Sequence, residues 1–406
     1  MAAKKIDKIL VINSGSSSLK FTLFNVSTKT ALAKGLVERV GTPNANLVYQ
    51  RNDEPKITQG IAAENHGKAL AMACKMLTDP ETGVIKSLKE VNAIGHRVVH
   101  GAEEFSDSVL ITEDVKTSIK RCADLAPLHN PANLDGVVAC ETVFPNTPNV
   151  AVFDTAFHQT MPPVAYTYPV PHEWLEAHSV RRYGFHGTSH RFVAKQALHL
   201  TGLSPEKHRL VTAHLGNGCS CAAVRDGKSV DTTMGLTPLE GVMMGTRSGS
   251  VDPAIIDHVA KALGKPEREI LDALNKKSGL LGVSGLSNDM RTIEDAAARG
   301  HERARLAFDI FCYVLAKSLA ALVVPLGHLD ALVFTGGIGE NSVAVRARTV
   351  EHLGFLGLTI DPHANATHGR SQNGRITEEI RPQALVVPTN EELMIAQDTA
   401  EIARRR

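Results

Sequence analysis

Short apolar runs alternate with polar, glycine-bearing turns along this chain. Residues 9–12 are an unbroken apolar run of strand length, residues 13–18 a tight polar turn, and residues 19–24 a second strand. The same plan returns about two hundred residues later, where residues 210–215 lead into Gly216-Asn217-Gly218 and an apolar strand ending at Val224. Arg225-Asp226-Gly227-Lys228 carries the Asp-Gly signal of a two-residue hairpin turn. The spacing is too long for a repeat array and predicts two related α/β domains.

Other elements follow from the same patterning. Residues 150–153 read as a short buried strand ending at Asp154. Helical spacing marks 254–263 and 302–324. A buried strand at 329–334 precedes the turn Thr335-Gly336-Gly337-Ile338-Gly339 and a helix from about Ser342. A last strand at 384–387 precedes Pro388-Thr389-Asn390-Glu391-Glu392 and a helix from Leu393. The Pro-rich stretch 161–171 excludes regular helix or central strand and reads as the crossing between domains. Residues 42–60 and 363–374 are polar and irregular, as surface loops are.

Length changes the picture first, because 406 residues exceed what one hydrophobic core serves. A balance of 44 basic and 43 acidic side chains gives no electrostatic reason to expect nucleic acid or a membrane surface as partner. The polar start is followed by only four apolar residues, 9–12, short of the roughly 7–15 of a secretory leader. No uninterrupted apolar run reaches the roughly 18 residues of a membrane span, so a cytoplasmic enzyme is expected. Cysteines 74, 122, 140, 219, 221 and 312 lack metal-ligand spacing and are expected to be buried free thiols.

Two nucleotide fingerprints are near misses. Gly227-Lys228-Ser229 resembles the end of a P-loop, but its earlier glycine is Ala222; Gly216-Asn217-Gly218 begins a dinucleotide motif whose third glycine is Cys221. What remains is a different plan, in which glycine- and hydroxyl-rich turns join adjacent strands. Asn13-Ser14-Gly15-Ser16-Ser17-Ser18, with Lys20 two residues on, can converge N–H groups and hydroxyls on phosphate oxygens, and Gly216-Asn217-Gly218 repeats the device. Thr335-Gly336-Gly337-Ile338-Gly339-Glu340-Asn341 lies between strand and helix, where bare backbone admits a flat ring. Five further clusters set Arg, His or Asp beside small residues: 95–101, 126–131, 153–155, 181–190 and 244–249.

On these residues the chain resembles the acetate kinase family, within the larger group of sugar-kinase, actin and heat-shock chaperone ATPases. The resemblance runs from Val11-Ile12-Asn13-Ser14-Gly15-Ser16-Ser17-Ser18 to Pro388-Thr389-Asn390-Glu391-Glu392, and is most specific in 181–190 and 334–341. It implies an α/β protein of two related actin-like (ribonuclease H-like) domains with a nucleotide cleft between them. Those domains are 1–155 completed by 392–406, and 156–391. It also implies a homodimer and an Mg²⁺-dependent reaction, with Mn²⁺ as a substitute, of ATP with acetate to give ADP and acetyl phosphate. Carried onto this chain, the metal site falls on Asn13 and Glu391. Nucleotide contacts fall on Lys20, His214, Leu215, Gly216, Asn217, Gly218, Asp289, Met290, Arg291, Gly337, Ile338, Gly339, Glu340 and Asn341. Arg97 is the acyl-substrate arginine and His129 lies with it; His186 and Arg247 are transition-state groups and Asp154 the essential aspartate. The acyl pocket corresponds to Val99, Leu128, Phe185 and Pro238. Two departures stand out: Gly101-Ala102 replaces the usual Gly-Gly, and Cys219 follows Gly218 where Gly or Ala is commoner.

The chemistry expected is direct in-line transfer with no phosphoenzyme, because an ionised carboxylate needs no general base. A sugar kinase would need that base. A propionate or butyrate kinase differs only in pocket size. A non-catalytic actin-like ATPase scaffold would have no reason to carry Arg97, His129, His186 and Arg247 together.

Overall fold

The computed structural model describes residues 6–123, 125–127, 129–379 and 381–405. Of the residues singled out above, Leu128 lies outside them. The chain divides into two compact units, Met1–Phe157 with Asn390–Arg406, and His158–Thr389.

The first unit is built on an eight-stranded sheet. Its strands are β1 (Lys8–Gly15), β2 (Ser18–Asn25), β3 (Thr30–Glu38), β4 (Asn46–Arg51), β5 (Ile57–Gly60), β6 (Ala93–Val98), β7 (Val109–Leu110) and β8 (Asn149–Phe153). Their spatial order is β5-β4-β3-β2-β1-β6-β8-β7. β1 to β5 are antiparallel neighbours, whereas β6 lies parallel to β1 and β8 parallel to β6. Leu10, Ile12, Leu19, Phe21, Leu47 and Tyr49 form a buried core with Leu70, Leu77 and Cys140 from helices His66–Thr78 and Asn130–Val143. The terminal helix Glu391–Arg404 packs on β6, β8 and β1. It reaches β6 because Gly95 is bare: a Cβ there would lie 2.3 Å from Thr399 Oγ1.

The second unit carries β9 (Arg209–Leu215), β10 (Cys219–Arg225), β11 (Lys228–Thr232), β12 (Ala331–Thr335) and β13 (Gln383–Val386), in the order β11-β10-β9-β12-β13. Three antiparallel strands continue into two parallel ones, the same plan as β3-β2-β1-β6-β8. Both units therefore share one sheet plan, as the echo in the sequence predicts, and it is the actin-like plan that the resemblance implies. Asp226 and Gly227 take φ 51° and 79° in a two-residue turn whose flanking partners are Arg225 and Lys228. That is the primed geometry an Asp-Gly hairpin selects. All six cysteines are buried free thiols.

Three expectations are corrected. Residues 42–60 contain β4 and β5, because Leu47 and Tyr49 alternate with half-exposed neighbours and are fully buried; the polar partners had hidden a period of two. The glycine-rich stretch after β12 is a helix, Gly336–Asn341, and not an open turn. The Pro-rich stretch holds a helical turn, Pro163–Tyr166, since a proline at the first helical position loses no bond. Helix Glu302–Val323 is, by length and composition with the following turn, able to cross a membrane, which a search for an unbroken apolar run passed over. Its buried face, Phe308, Phe311, Cys312, Leu315 and Leu319, is a core stripe at helical spacing, and the helix packs on β9 and β10.

Candidate active site

In the first unit the chemistry gathers at the carboxyl ends of the parallel strands, where open α/β sheets place their ligands. Arg97 is the penultimate residue of β6 and Asp154 directly follows β8. Arg97 donates from Nε to Asp154 Oδ1 at 3.0 Å and from Nη2 to Oδ2 at 2.6 Å. Asp154 is 1% exposed, whereas the Arg97 side chain keeps 24%. Asp154 first, and then Glu391, raise the Arg97 guanidinium pKa against the opposing effect of burial. Asn13, near the end of β1, stands opposite Lys20 in the β1–β2 register. Lys20 pairs with Glu392, which also accepts from Thr22 Oγ1 at 2.8 Å. Glu391 and Glu392 occupy the first turn of the terminal helix, capped by Asn390.

The hydroxyl-rich turn is a tight hairpin with Ser16 and Ser17 exposed. Two asparagines that the sequence reading left without a role hold the backbone just past β6, and one of them ties it to this turn. Asn133 accepts from the Val99 N–H at 3.1 Å and donates to the Ser14 carbonyl at 2.7 Å. Asn130 accepts from the His100 N–H at 3.1 Å and donates to its carbonyl at 2.9 Å. Their i,i+3 spacing on one helix is the signal that could have found them. His129 immediately precedes that helix. Val99 is buried. Ala102 is left-handed, φ 49°, so the departure from Gly-Gly places a side chain where glycine is unstrained.

The second unit contributes a cavity of about 750 Å³. Gly216 and Asn217 from the β9–β10 turn, Asn288, Asp289, Met290, Arg291 and Glu294, and Gly337, Ile338, Asn341 and Ser342 line it. Three separately predicted nucleotide segments thus meet at one cavity of ligand size. Asp289 caps helix Met290–Ala298 and pairs with the exposed Arg291. Glu294, which sequence reasoning missed, is half-buried, its pKa raised by burial, and it accepts from the Ser342 hydroxyl.

Leu215, Gly339 and Glu340 support the cavity and are absent from its lining. Glu340 Oε1 accepts from the Gly336 N–H at 3.0 Å and the Thr389 N–H at 3.0 Å. That internal cap is why the glycine stretch closes into a helical turn. Its other end rests on Arg346, also missed by sequence reasoning, which is fully buried. Arg346 donates to the Gly339 and Glu340 carbonyls at 2.9 and 3.0 Å, to both oxygens of Asn365, and meets His368 Nδ1 at 3.1 Å. Burial pushes its pKa down to about 10. Arg346→Met removes a cation at a helix C-terminus and orphans buried acceptors, each at about 1–3 kcal/mol. The expected result is a lower Tm and a several-fold higher nucleotide KM with kcat less affected. Melting curves with and without ATP, beside steady-state kinetics, check it; an unchanged KM in a destabilised variant would detach Arg346 from the loop's function.

His186 and Arg247 converge on a bare backbone position. A Cβ on Gly218 would lie 3.3 Å from Arg247 Nη1 and 3.5 Å from His186 Nε2. His186 adopts φ 55° at the start of helix Gly187–Thr201, a left-handed conformation of a kind concentrated at functional sites. Its ring stacks on His214 at 4.4 Å. Arg247 donates to the Pro238 carbonyl at 3.3 Å, and burial lowers its pKa. Among the described residues no carboxylate pairs with it, in contrast to Arg97. Phe185, the residue before His186, is buried, and Pro238, whose carbonyl accepts from Arg247, is half-buried.

Comparison with known proteins accords with this geometry. A model of the acetokinase family matches residues 8–397. An acetate kinase of Caldanaerobacter subterraneus is 49% identical over 98% of this chain and 99% of its own. One of Methanosarcina acetivorans is 51% identical over 97% of each. Among solved structures, an acetate kinase of Porphyromonas gingivalis superposes with a TM-score of 0.92 at 45% identity, covering 98% of this chain and 99% of its own. A propionate kinase of Francisella tularensis reaches 0.91 at 45% identity, over 98% and 100%.

Proposed function

This chain belongs to the acetokinase family, and from that premise we propose that it transfers the terminal phosphoryl group of ATP reversibly to acetate, giving ADP and acetyl phosphate. The observation that carries the reading is Arg247: a largely buried guanidinium with no carboxylate partner among the described residues, set with His186 against bare Gly218, suits an anionic group in transfer. A carboxylate oxygen of acetate attacks the γ-phosphorus while the bond to the ADP oxygen breaks in line. Arg247 and His186 neutralise the equatorial oxygens. Arg97 holds the acetate carboxylate, with Val99, Phe185, Pro238 and His129 around the acyl end. Gly216, Asn217, Asp289, Met290, Arg291, Gly337, Ile338 and Asn341 take the nucleotide, with Lys20, His214 and Gly218 on its phosphate side.

Asn13 and Glu391 would hold a divalent cation, Mg²⁺ or Mn²⁺. Their hard oxygen donors suit an ion that takes one or two protein ligands and completes its shell with water and phosphates. When bound, the ion supplies charge neutralisation at the phosphates. The same reading takes a cytoplasmic homodimer as the working form, and light scattering tests the dimer. Detecting acetyl phosphate as its hydroxamate from ATP and acetate tests the activity; its absence from folded protein ends the reading.

A second reading, propionate as the acid, draws on the propionate kinase relative. Val99, buried and held through its N–H by Asn133, decides between them. Its methyls would occupy the space of propionate's extra methylene, worth about 1–3 kcal/mol in an apolar pocket. Val99→Ala is expected to narrow the acetate-to-propionate ratio of kcat/KM by about tenfold, mainly through the propionate KM. Steady-state kinetics on both acids measure it, and an unchanged ratio removes Val99 as the gate.

A further inference from the structure

We propose that a hydrogen-bonded relay through Ser220, His190 and Thr212 fixes the proton of His186 on Nδ1, so that His186 donates from Nε2 only as an imidazolium. The consequence for catalysis rests on the transition-state role given to His186 above; the proton placement itself does not.

The relay can be followed atom by atom. His186 Nδ1 lies 2.8 Å from Ser220 Oγ, and Ser220 Oγ lies 2.8 Å from His190 Nε2. His190 Nδ1 lies 2.7 Å from Thr212 Oγ1, which in turn lies 3.4 Å from the Ala222 carbonyl oxygen. Ser220 and Thr212 reach the same helix because β10 and β9 pair Ser220 with His214 and Ala222 with Thr212.

The carbonyl gives the chain its direction, since it can only accept. Thr212 gives its single proton to Ala222 and must accept from His190 Nδ1–H. His190 is fully buried, and burial drives its pKa well below the usual imidazole value, so it is neutral and carries one N–H. Its Nε2 lone pair then takes the Ser220 proton, and Ser220 accepts from His186 Nδ1–H. A neutral His186 therefore presents a lone pair at Nε2, the atom that faces Gly218. A lone pair repels phosphoryl oxygens, whereas the imidazolium donates to them. The titratable and charged groups of its own unit that face His186 include His214, stacked on it, His190 through Ser220, and Arg247 across Gly218. Ser220, His190 and Thr212 are positioning residues, none of which the functional reading had used.

Two other histidines serve as internal standards. His158 meets the Phe185 carbonyl from Nε2 at 3.0 Å, which places its proton on Nε2. His208 meets the Ser204 carbonyl from Nδ1 at 2.9 Å and accepts the Gly227 N–H at Nε2, which places its proton on Nδ1.

The test uses the full chain labelled with ¹⁵N at histidine, read by long-range ¹⁵N–¹H spectra near pH 9, with His186 assigned by its loss in His186→Gln. The wild type should show His186 protonated on Nδ1, like His208 and unlike His158. Thr212→Val removes the anchor and would leave the His190 Nδ1–H buried without an acceptor, which is worse than a buried lone pair. The relay should reverse and move the His186 proton to Nε2. In kinetics the wild-type kcat should fall about tenfold per pH unit above the imidazolium range. In Thr212→Val the ratio of kcat at pH 9 to that at pH 7 should rise by about tenfold. Should the valine variant fail to fold, Ser220→Ala breaks the relay elsewhere and should give His186 a mixture of both tautomers. A neutral wild-type His186 protonated on Nε2 overturns the proposal, as does a reversed tautomer with an unchanged alkaline limb. Full activity in folded His186→Gln would instead sink the transition-state role and leave the tautomer result standing.

Discussion

Arg247→Ala should lower kcat/KM by about 10²–10³ while the protein stays folded, the cost of deleting one donor aimed at developing charge. The fold has little to lose, because among the described residues the guanidinium makes only a 3.3 Å bond to the Pro238 carbonyl and a long contact to Met244 sulfur. Its desolvation is uncompensated by any carboxylate among the described residues, so the native chain holds a cation at a cost that an arriving anion offsets. Arg247→Lys should recover only part of the rate, since a point charge cannot match two phosphoryl oxygens at once. Steady-state kinetics beside circular dichroism decide the matter. A folded alanine variant within a few-fold of wild type would take Arg247 out of the mechanism.

Asp154→Asn should be impaired by a comparable factor at every pH from 6 to 9. Acetate titrates in the ordinary carboxyl range of about 4–5, so it is already ionised and a base has no proton to remove from it. A positioning role is the one proposed for Asp154 instead, on the ground that it is buried and clasps Arg97 through both oxygens. An amide keeps one acceptor and turns an N–H₂ toward the guanidinium, which breaks the fork and leaves a partly buried cation without its main partner. Breaking such a pair costs about 3–5 kcal/mol, and displacing a positioning group by about 1 Å costs about 10² in rate. The freed Arg97 is drawn toward Glu391, the next carboxylate in its field, so the Mg²⁺ dependence should change too. Rates across pH and Mg²⁺ concentration measure both effects. A kinetic pKa seen in the wild type and lost in the variant, with metal affinity unchanged, would argue for proton transfer instead.

Much of this architecture is local enough to read from the chain. Residues 9–12, 19–24, 210–215 and 150–153 are strands because their apolar runs have strand length; the last three are found within a residue at each end, and the first continues three residues into its polar turn, to Gly15. Helix Ala254–Leu263 begins and ends where its spacing says it does. β4 and β5 were illegible because β4 buries only Leu47 and Tyr49 on one face and β5, at the sheet edge, buries no residue, so both look like loop. The glycine stretch 336–341 was illegible for another reason: glycine favours no conformation, and Glu340, Thr389 and Arg346 decide the matter from elsewhere.

The sequence by itself determined the two-domain α/β plan, the family, and which Arg, His and Asp residues are candidates for the chemistry. Periodicity and residue type are properties of neighbours along the chain. Only the tertiary structure decided that Asp154 holds Arg97 across 57 residues, and that Asn133 ties Val99 to Ser14. It also decided that Thr212 lies at the end of the line leading to His186. A hydrogen bond is directional over about 3 Å and indifferent to sequence separation, so its partners exist only once strands have paired and helices have packed.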